Sequence, residues 1–140
     1  METDEIIAQL DNFQARLFIR RNGQVEPADP NTLANNLLLI RGLLIQLVDK
    51  VAESESIYRK TKAARFDSFL TAHKPGEKAI SKSAAMDKLD MEDDLIDMKI
   101  GSERVKNYMK YVDGLCTSIQ SVLKVQSLSL IHISEPTRPY

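Results

Sequence analysis

Two long heptad repeats constrain the fold of this chain more than any other feature of its sequence. In the first, the spacing alternates between four and three at Leu33, Leu37, Ile40, Leu44, Leu47 and Val51. The second follows the same rule at Met91, Leu95, Met98, Ser102, Val105, Met109, Val112, Cys116, Ile119 and Leu123. Such a repeat lays one apolar row along a helix that packs lengthwise on another helix. The sequence therefore predicts an all-α fold, built as a long antiparallel helical hairpin of coiled-coil-like character.

The N-terminal part predicts a short helix and a connector before this hairpin. Apolar residues recur at helical spacing over residues 4–18. The Asn22-Gly23 pair that follows is a strong turn signal. We expect residues 24–29 to form a connector.

Local signals also bound the long helices. Asp29-Pro30 is a start signal, because Asp accepts bonds from free backbone N–H groups and Pro lacks the N–H that has no partner there. Nothing breaks the helical pattern before Leu70, and Lys74-Pro75-Gly76 then interrupts it. Ser81-Lys82-Ser83 can cap a short helix that runs to about Leu89, and the second long helix follows.

Each long helix is too long for the rest of such a small chain to cover its whole apolar seam. We therefore expect the exposed remainder of the two seams to drive self-association into a homo-oligomer. Gly42, Gly101 and Gly114 lie within the helices and are candidates for close helix approach.

The last thirteen residues differ abruptly in composition from the charged helical sequence before them. Residues 128–138 resemble, residue for residue, the translation of a transposon-based sequencing adapter. We therefore interpret 1–127 as a single helical domain, truncated at its C-terminus, and 128–140 as a translated artefact. The short apolar and β-branched run in residues 128–133 favours extended structure.

The sequence predicts neither secretion nor membrane insertion. Its acidic start, Met1-Glu2-Thr3-Asp4-Glu5, is unlike a signal peptide. The apolar window at residues 33–48 is shorter than the roughly 20 residues that cross a bilayer. Cys116 is the only cysteine, so we expect no intrachain disulfide and a reducing cytoplasm.

The residue set argues against an enzyme. His73 is the only histidine before the adapter-like tail, no glycine loop for phosphates is present, and Cys116 lies in the second seam, where it serves as a small hydrophobe. Four acids near helical spacing lack the ligand order of an EF-hand, so we interpret Asp87, Asp90, Asp94 and Asp97 as a solvated face. We predict no catalytic residues, no metal and no cofactor.

Charge is strongly polarised along the chain although the net charge is only −1. A basic stretch contains Arg59, Lys60, Lys62, Arg65, Lys74, Lys78 and Lys82 against Asp67 and Glu77. The next stretch is acidic, with Asp87, Asp90, Glu92, Asp93, Asp94 and Asp97 against Lys88. The net charge therefore gives little information about binding partners, whereas the distribution of charge along the chain gives more.

Three aromatic rings lie among these cations. Cations neutralise phosphates and flat rings stack on bases, a combination that single-stranded nucleic acid requires. The predicted binding residues are Tyr58, Arg59, Lys60, Lys62, Arg65 and Lys74. Spacings of eight and three also place Tyr58, Phe66 and Phe69 on one helical face, so a role in the core is the alternative.

The order of these features resembles the UvsY recombination mediators of tailed bacteriophages. The resemblance is closest over Lys62-Ala-Ala-Arg65-Phe66-Asp67, over Lys82-Ser-Ala-Ala-Met86 and over residues 108–121, and it spans most of residues 18–125. The family's basic motif is closer to Lys-Ala-Arg, so Arg65 corresponds directly and Lys62 only with a shift of one residue.

This resemblance implies an all-helical oligomer in the cytoplasm of a phage-infected bacterial host. It implies binding to single-stranded DNA, contact with the single-strand-binding protein, and help in loading a RecA-like phage recombinase. One alternative is a helical phage assembly or scaffolding protein that does not bind nucleic acid, in which the basic segment docks on a neighbour's acidic stretch. A coiled-coil inhibitor of host nucleases is a third hypothesis.

Overall fold

The computed structural model describes residues 1–73 and 75–134, with side chains described up to residue 128. The order of elements is α1 (Thr3–Ala15), β1 (Phe18–Arg21), β2 (Gln24–Pro27), α2 (Pro30–Thr71), α3 (Lys82–Asp90) and α4 (Asp93–Ser134). Over these described ranges the chain is mostly helical, with four helices and a two-stranded antiparallel sheet. The all-α prediction is therefore confirmed at the level of the main architecture.

The chain divides into two compact units. Unit 1 comprises Met1–Val48 with the chain from Met109 onward, and unit 2 is Asp49–Tyr108. Unit 1 thus holds α1, both strands, the start of α2 and the last part of α4. Unit 2 holds the rest of α2, the whole of α3 and the first part of α4.

The predicted helix starts are confirmed in atomic detail. An Asp29 carboxylate oxygen accepts a bond from the Thr32 backbone N–H at 3.1 Å, and α2 begins at Pro30. The hydroxyl of Ser81 accepts a bond from the Ala84 backbone N–H at 3.1 Å, and α3 follows. Bonds to Thr32 also hold the pKa of Asp29 below its usual value. Both caps satisfy N–H groups that lack a partner within the helix.

The connector predicted after the N-terminal helix is wrong in part, because residues 18–27 form a β-ribbon. Its strands pair from Phe18↔Pro27 to Arg21↔Gln24, and Asn22 and Gly23 turn the chain with φ values of 53° and 76°. Two successive residues with positive φ define the turn whose twist matches paired strands. The Asn-Gly turn is thus confirmed, and Phe18 belongs to β1 instead of α1.

Burial follows the predicted seams. All six positions of the first seam are buried, and Leu43 is buried beside them. Of the second seam, Leu95, Val112, Cys116 and Ile119 are buried. Met91 is 78% exposed and lies in the break between α3 and α4, so it belongs to neither helix. The first seam therefore leaves no exposed remainder to drive self-association.

Two further expectations are wrong. A Cβ added at Gly42, Gly101 or Gly114 would meet no atom within 4 Å, so none of them permits close helix approach within the described structure. Residues 128–133 are helical, because α4 continues to Ser134. Adding a turn to an existing helix costs far less than starting one, so helix propagation prevails over the extended preference of this run.

Candidate nucleic-acid interface

Ion pairs join α2 and α4 within unit 2. The Nζ of Lys106 pairs with a carboxylate oxygen of Glu55. The Arg65 guanidinium bonds both carboxylate oxygens of Asp94 and lies 3.7 Å from an Oε of Glu92. A two-point contact of this kind is the strongest geometry available to an Arg and a carboxylate.

These ion pairs shift the pKa values of the residues that form them. The hydrogen bond from Lys106 holds the pKa of Glu55 below its usual value, although partial desolvation opposes the shift. The bond from Arg65 lowers the pKa of Asp94 in the same way, and the pKa of Arg65 is raised in turn. All three groups therefore stay charged at neutral pH.

The other predicted residues have different surroundings. Arg59 and Lys60 are exposed on α2, and the Arg59 Nε donates to the carbonyl oxygen of Glu55 at 3.4 Å. Lys62 is half-buried, with its Nζ 5.8 Å from the centroid of the Tyr58 ring. Lys74 lies outside the described residues.

The predicted cations are thus not all held in ion pairs. Of the predicted cations that the structure describes, Arg65 alone pairs with the acidic stretch. The rings of Tyr58, Phe66 and Phe69 are half-buried, and Lys88 lies 5.6 Å from the Phe69 centroid. Half-burial leaves both roles predicted for these rings, packing and stacking, open.

A groove in unit 2 brings part of the predicted site together with residues from α4. Its volume is about 210 Å³. It is lined by Glu55, Tyr58 and Arg59 from α2 and by Met98, Lys99, Ser102, Glu103 and Lys106 from α4. Of the predicted binding residues in the described ranges, Tyr58 and Arg59 are the two that reach this groove.

The charge of the groove favours an anionic ligand. Glu55 and Lys106 neutralise one another through their ion pair. The remaining charged lining is then Arg59 and Lys99 against Glu103, an excess of one positive charge. The apolar lining comes from the Tyr58 ring and the Met98 side chain, so cations and flat apolar surface share one concavity.

The sequence analysis did not place the α4 lining of the groove in the site, including its polar residues Lys99, Ser102 and Lys106. The Ser102 Oγ is buried and has no hydrogen-bond partner in the described structure. Spacings of three and four place these residues on one face of α4. A signal was therefore present, because residues 99–110 contain Lys99, Arg104, Lys106 and Lys110 against Glu103. It was overshadowed by the denser basic stretch at residues 59–65.

We find no metal-binding cluster and no reactive thiol among the other side chains of the described ranges. Within them, no three His, Cys, Asp or Glu side chains are grouped so that they could hold a metal ion. Cys116 is fully buried, and this burial raises the pKa of its thiol above the usual value. The thiol therefore remains protonated and acts as a small apolar group in its seam.

One helix passes a test for membrane spans on length and composition alone. Among the described helices this is α2, with an 18-residue window of mean hydropathy 1.2, of which 39% is buried. The core helix of a soluble protein passes the same test, so this is weak evidence for a span.

The chain matches no protein-family model, and no curated protein or solved structure is significantly similar to it. The geometry of unit 2 and the sequence patterns therefore carry the functional argument.

Proposed function

We propose that this chain is a non-enzymatic recombination mediator that binds single-stranded DNA through the groove of unit 2. The observation that carries the proposal is the meeting of Tyr58 and Arg59 with Lys99 around one concavity. Its role in loading a RecA-like phage recombinase, in contact with the single-strand-binding protein, rests on the resemblance to UvsY mediators.

The groove offers the two kinds of contact that single strands use. Arg59 and Lys99 provide charge for backbone phosphates, and phosphate contacts dominate affinity for nucleic acid. The Tyr58 ring provides a face on which any base can stack, so little sequence preference is expected.

We also propose that α2 and α4 pair as an antiparallel helical hairpin. The ion pairs within unit 2 support this arrangement, because Glu55 pairs with Lys106 whereas Arg65, further along α2, pairs with Asp94, earlier on α4. In antiparallel helices, residues later in one helix pair with residues earlier in the other, as these two ion pairs do.

We also propose that the chain self-associates, through a surface of α2 other than its heptad seam. Leu38, Ile45 and Val48 are 74%, 67% and 51% exposed on the part of α2 in unit 1. Seven- and three-residue spacings place them on one side of the helix. Sedimentation of the wild type and of a Leu38→Lys, Ile45→Lys variant tests this, since a compact wild-type monomer at micromolar concentration would contradict it.

The test of DNA binding is a salt series with a fluorescent oligonucleotide. The variant Arg59→Ala, Lys99→Ala removes two predicted phosphate contacts, so the log–log salt slope should flatten by roughly 1.4 at ~0.7 per single-strand phosphate. Tyr58→Ala should lower affinity without changing that slope, because stacking releases no counterions.

A matched control is Lys78→Ala, Lys82→Ala, which removes two exposed cations of the same unit outside the groove. It should bind like the wild type. Equal losses in both double variants would indicate general charge attraction, and no loss in either would move the site elsewhere. Circular dichroism of each variant checks that the helices persist.

A helical assembly protein without nucleic-acid binding is the second candidate. The contact of Arg65 with Asp94 and Glu92 favours it, because here the basic segment already binds the acidic stretch. The exposed row on α2 is compatible with the same role. A wild-type chain that forms oligomers but leaves single strands unbound at low salt would favour this candidate over the mediator.

A further inference from the structure

The β-ribbon at residues 18–27 is anchored at its base and open along its length. Leu17 and Ala28, which flank it, are 0% and 2% exposed, and the Ala28 N–H donates to the Leu17 carbonyl oxygen at 2.9 Å. Between them every residue of β1 is exposed, and Glu26 alone in β2 is half-buried. Within the described residues, the ribbon therefore has a buried foot and exposed residues on both of its faces.

Positive charge is concentrated on this ribbon. Arg20 and Arg21 occupy its far end beside the turn, and Arg16 lies just before its base. Alternation of side chains along a strand sends Arg20 and Arg21 to opposite faces. Neither has an ion-pair partner in the described structure, and Glu26 is the one acid of the ribbon. Both faces are thus electropositive near the tip.

Exposed apolar side chains accompany the arginines. Phe18, Ile19 and Val25 are 38%, 39% and 61% exposed. A two-stranded ribbon on its own is marginally stable in water. Here the buried foot lies at one end of the ribbon and the Asn22-Gly23 turn closes the other.

The dimensions of the ribbon match those of a duplex groove. Four residues per strand at about 3.3 Å each give a length of about 13 Å, and the strands lie about 4.8 Å apart. The major groove of B-DNA is about 12 Å wide and about 8.5 Å deep, and it admits a two-stranded ribbon. Arginines on both faces would then reach phosphates on both walls of the groove.

We propose that the β-ribbon is a second nucleic-acid contact and that it binds duplex DNA in the major groove. The charge complementarity between its unpaired arginines and two phosphate walls favours this occupant over a single strand, which has one backbone. The inference does not rest on the groove of unit 2, because it concerns other residues in the other unit.

The experiment measures affinity for a short duplex and for a single strand of the same length across a salt series. The full chain with Arg20→Ala and Arg21→Ala should show a duplex salt slope flatter by about 1.8, at ~0.9 per phosphate. Its single-strand affinity should match that of the wild type. The Arg59→Ala, Lys99→Ala variant should show the reverse pattern, so failure of one proposal is distinguishable from failure of the other.

The matched control is Lys110→Ala, Lys124→Ala, which removes two exposed cations of unit 1 outside the ribbon. It should keep the wild-type duplex slope. The variant Arg20→Lys, Arg21→Lys keeps the charge and should keep most of the affinity, which guards against a folding defect in the alanine variant.

Several results would overturn the proposal. One is a wild-type chain that leaves duplex unbound at low salt, and another is a control variant that loses as much affinity as the arginine variant. A third is an arginine variant that binds duplex like the wild type but sediments as a smaller species, since the ribbon would then dock on a second copy of this chain. A fall in single-strand and duplex affinity to the same extent would also count against it.

Discussion

The two parts of α2 use different means of stabilisation although they belong to one helix. In unit 1, α2 buries Leu33, Leu37, Ile40, Leu43, Leu44 and Leu47. Beyond Val51, no residue of α2 is buried, although the rings of Tyr58, Phe66 and Phe69 are half-buried. Glu55 and Arg65 form ion pairs with α4 in this part. The first part is therefore stabilised mainly by buried apolar side chains, whereas the second combines half-buried packing with ion pairs near the surface.

This difference bears on function. Buried apolar packing is strong and gives a fixed geometry, whereas ion pairs near the surface contribute little net stability and are screened by salt. Ligand-binding elements are commonly drawn from the less stable parts of a protein. This contrast fits the proposal that single-stranded DNA binds to unit 2.

The largest expected effect is a loss of unfolding free energy when a buried side chain of unit 1 is truncated. Leu47 is fully buried, so Leu47→Ala should cost about 2–5 kcal/mol of unfolding free energy from lost transfer energy and the cavity left behind. Leu39, which is 49% exposed in the same unit, is the control, and Leu39→Ala should cost about 1 kcal/mol or less. Urea unfolding followed by circular dichroism measures both. Similar costs would mean that unit 1 does not depend on its seam.

A smaller effect concerns the cap of α3 in unit 2. Ser81→Ala removes the hydroxyl that accepts the Ala84 N–H and should cost about 1 kcal/mol. Ser83→Ala, an exposed change one residue inside α3, is the control and should be neutral or slightly stabilising. Urea midpoints for the two variants decide the matter. If Ser83→Ala is the more harmful change, α3 does not begin where the structure places it.

The next prediction compares the units through their helical glycines. Gly101 in unit 2 and Gly114 in unit 1 have open space where a Cβ would lie, so each Gly→Ala change should stabilise by about 1 kcal/mol. Gly23→Ala should instead destabilise the protein, because Gly23 has a φ of +76° that Ala rarely adopts. Thermal unfolding of the three variants tests this. Destabilisation at Gly101 or Gly114 would reveal a neighbour, such as a second copy, against that face.

The smallest expected effect is the acid sensitivity of unit 2. Arg65 and Lys106 lower the pKa values of Asp94 and Glu55, so these pairs stabilise the fold above the usual carboxyl pKa of about 4. Their contribution is lost as pH falls through the lowered values, because the carboxylates then take up protons. Glu55→Gln with Asp94→Asn should therefore flatten the fall of the urea midpoint between pH ~6 and ~3.

The control for this effect is Asp67→Asn, an exposed acid of the same unit that is in no ion pair of the described structure. It should leave the acid profile like that of the wild type. Identical profiles for all three proteins would show that the acid sensitivity arises outside these pairs.

Much of the helical architecture follows from short-range signals. Asp29-Pro30, Ser81 and the break at Lys74-Pro75-Gly76 act over a few residues, so the sequence places these boundaries to within about two residues. The β-ribbon was missed for a related reason. Phe18-Ile-Arg-Arg21 lacks the alternation of a half-buried strand because both of its faces are exposed, and the turn signal alone does not say that strands flank it.

The sequence by itself determined the helices, the starts of α2 and α3 and most of the apolar rows, because capping, helix breaking and heptad spacing are local properties of the chain. Only the tertiary structure decided which cations serve the candidate site. Arg65 is neutralised by Asp94, 29 residues away, whereas Arg59 meets Lys99 at the groove. A charge's partner depends on which turns of two helices lie side by side. That register depends on contacts between residues far apart in the chain, which no local spacing specifies.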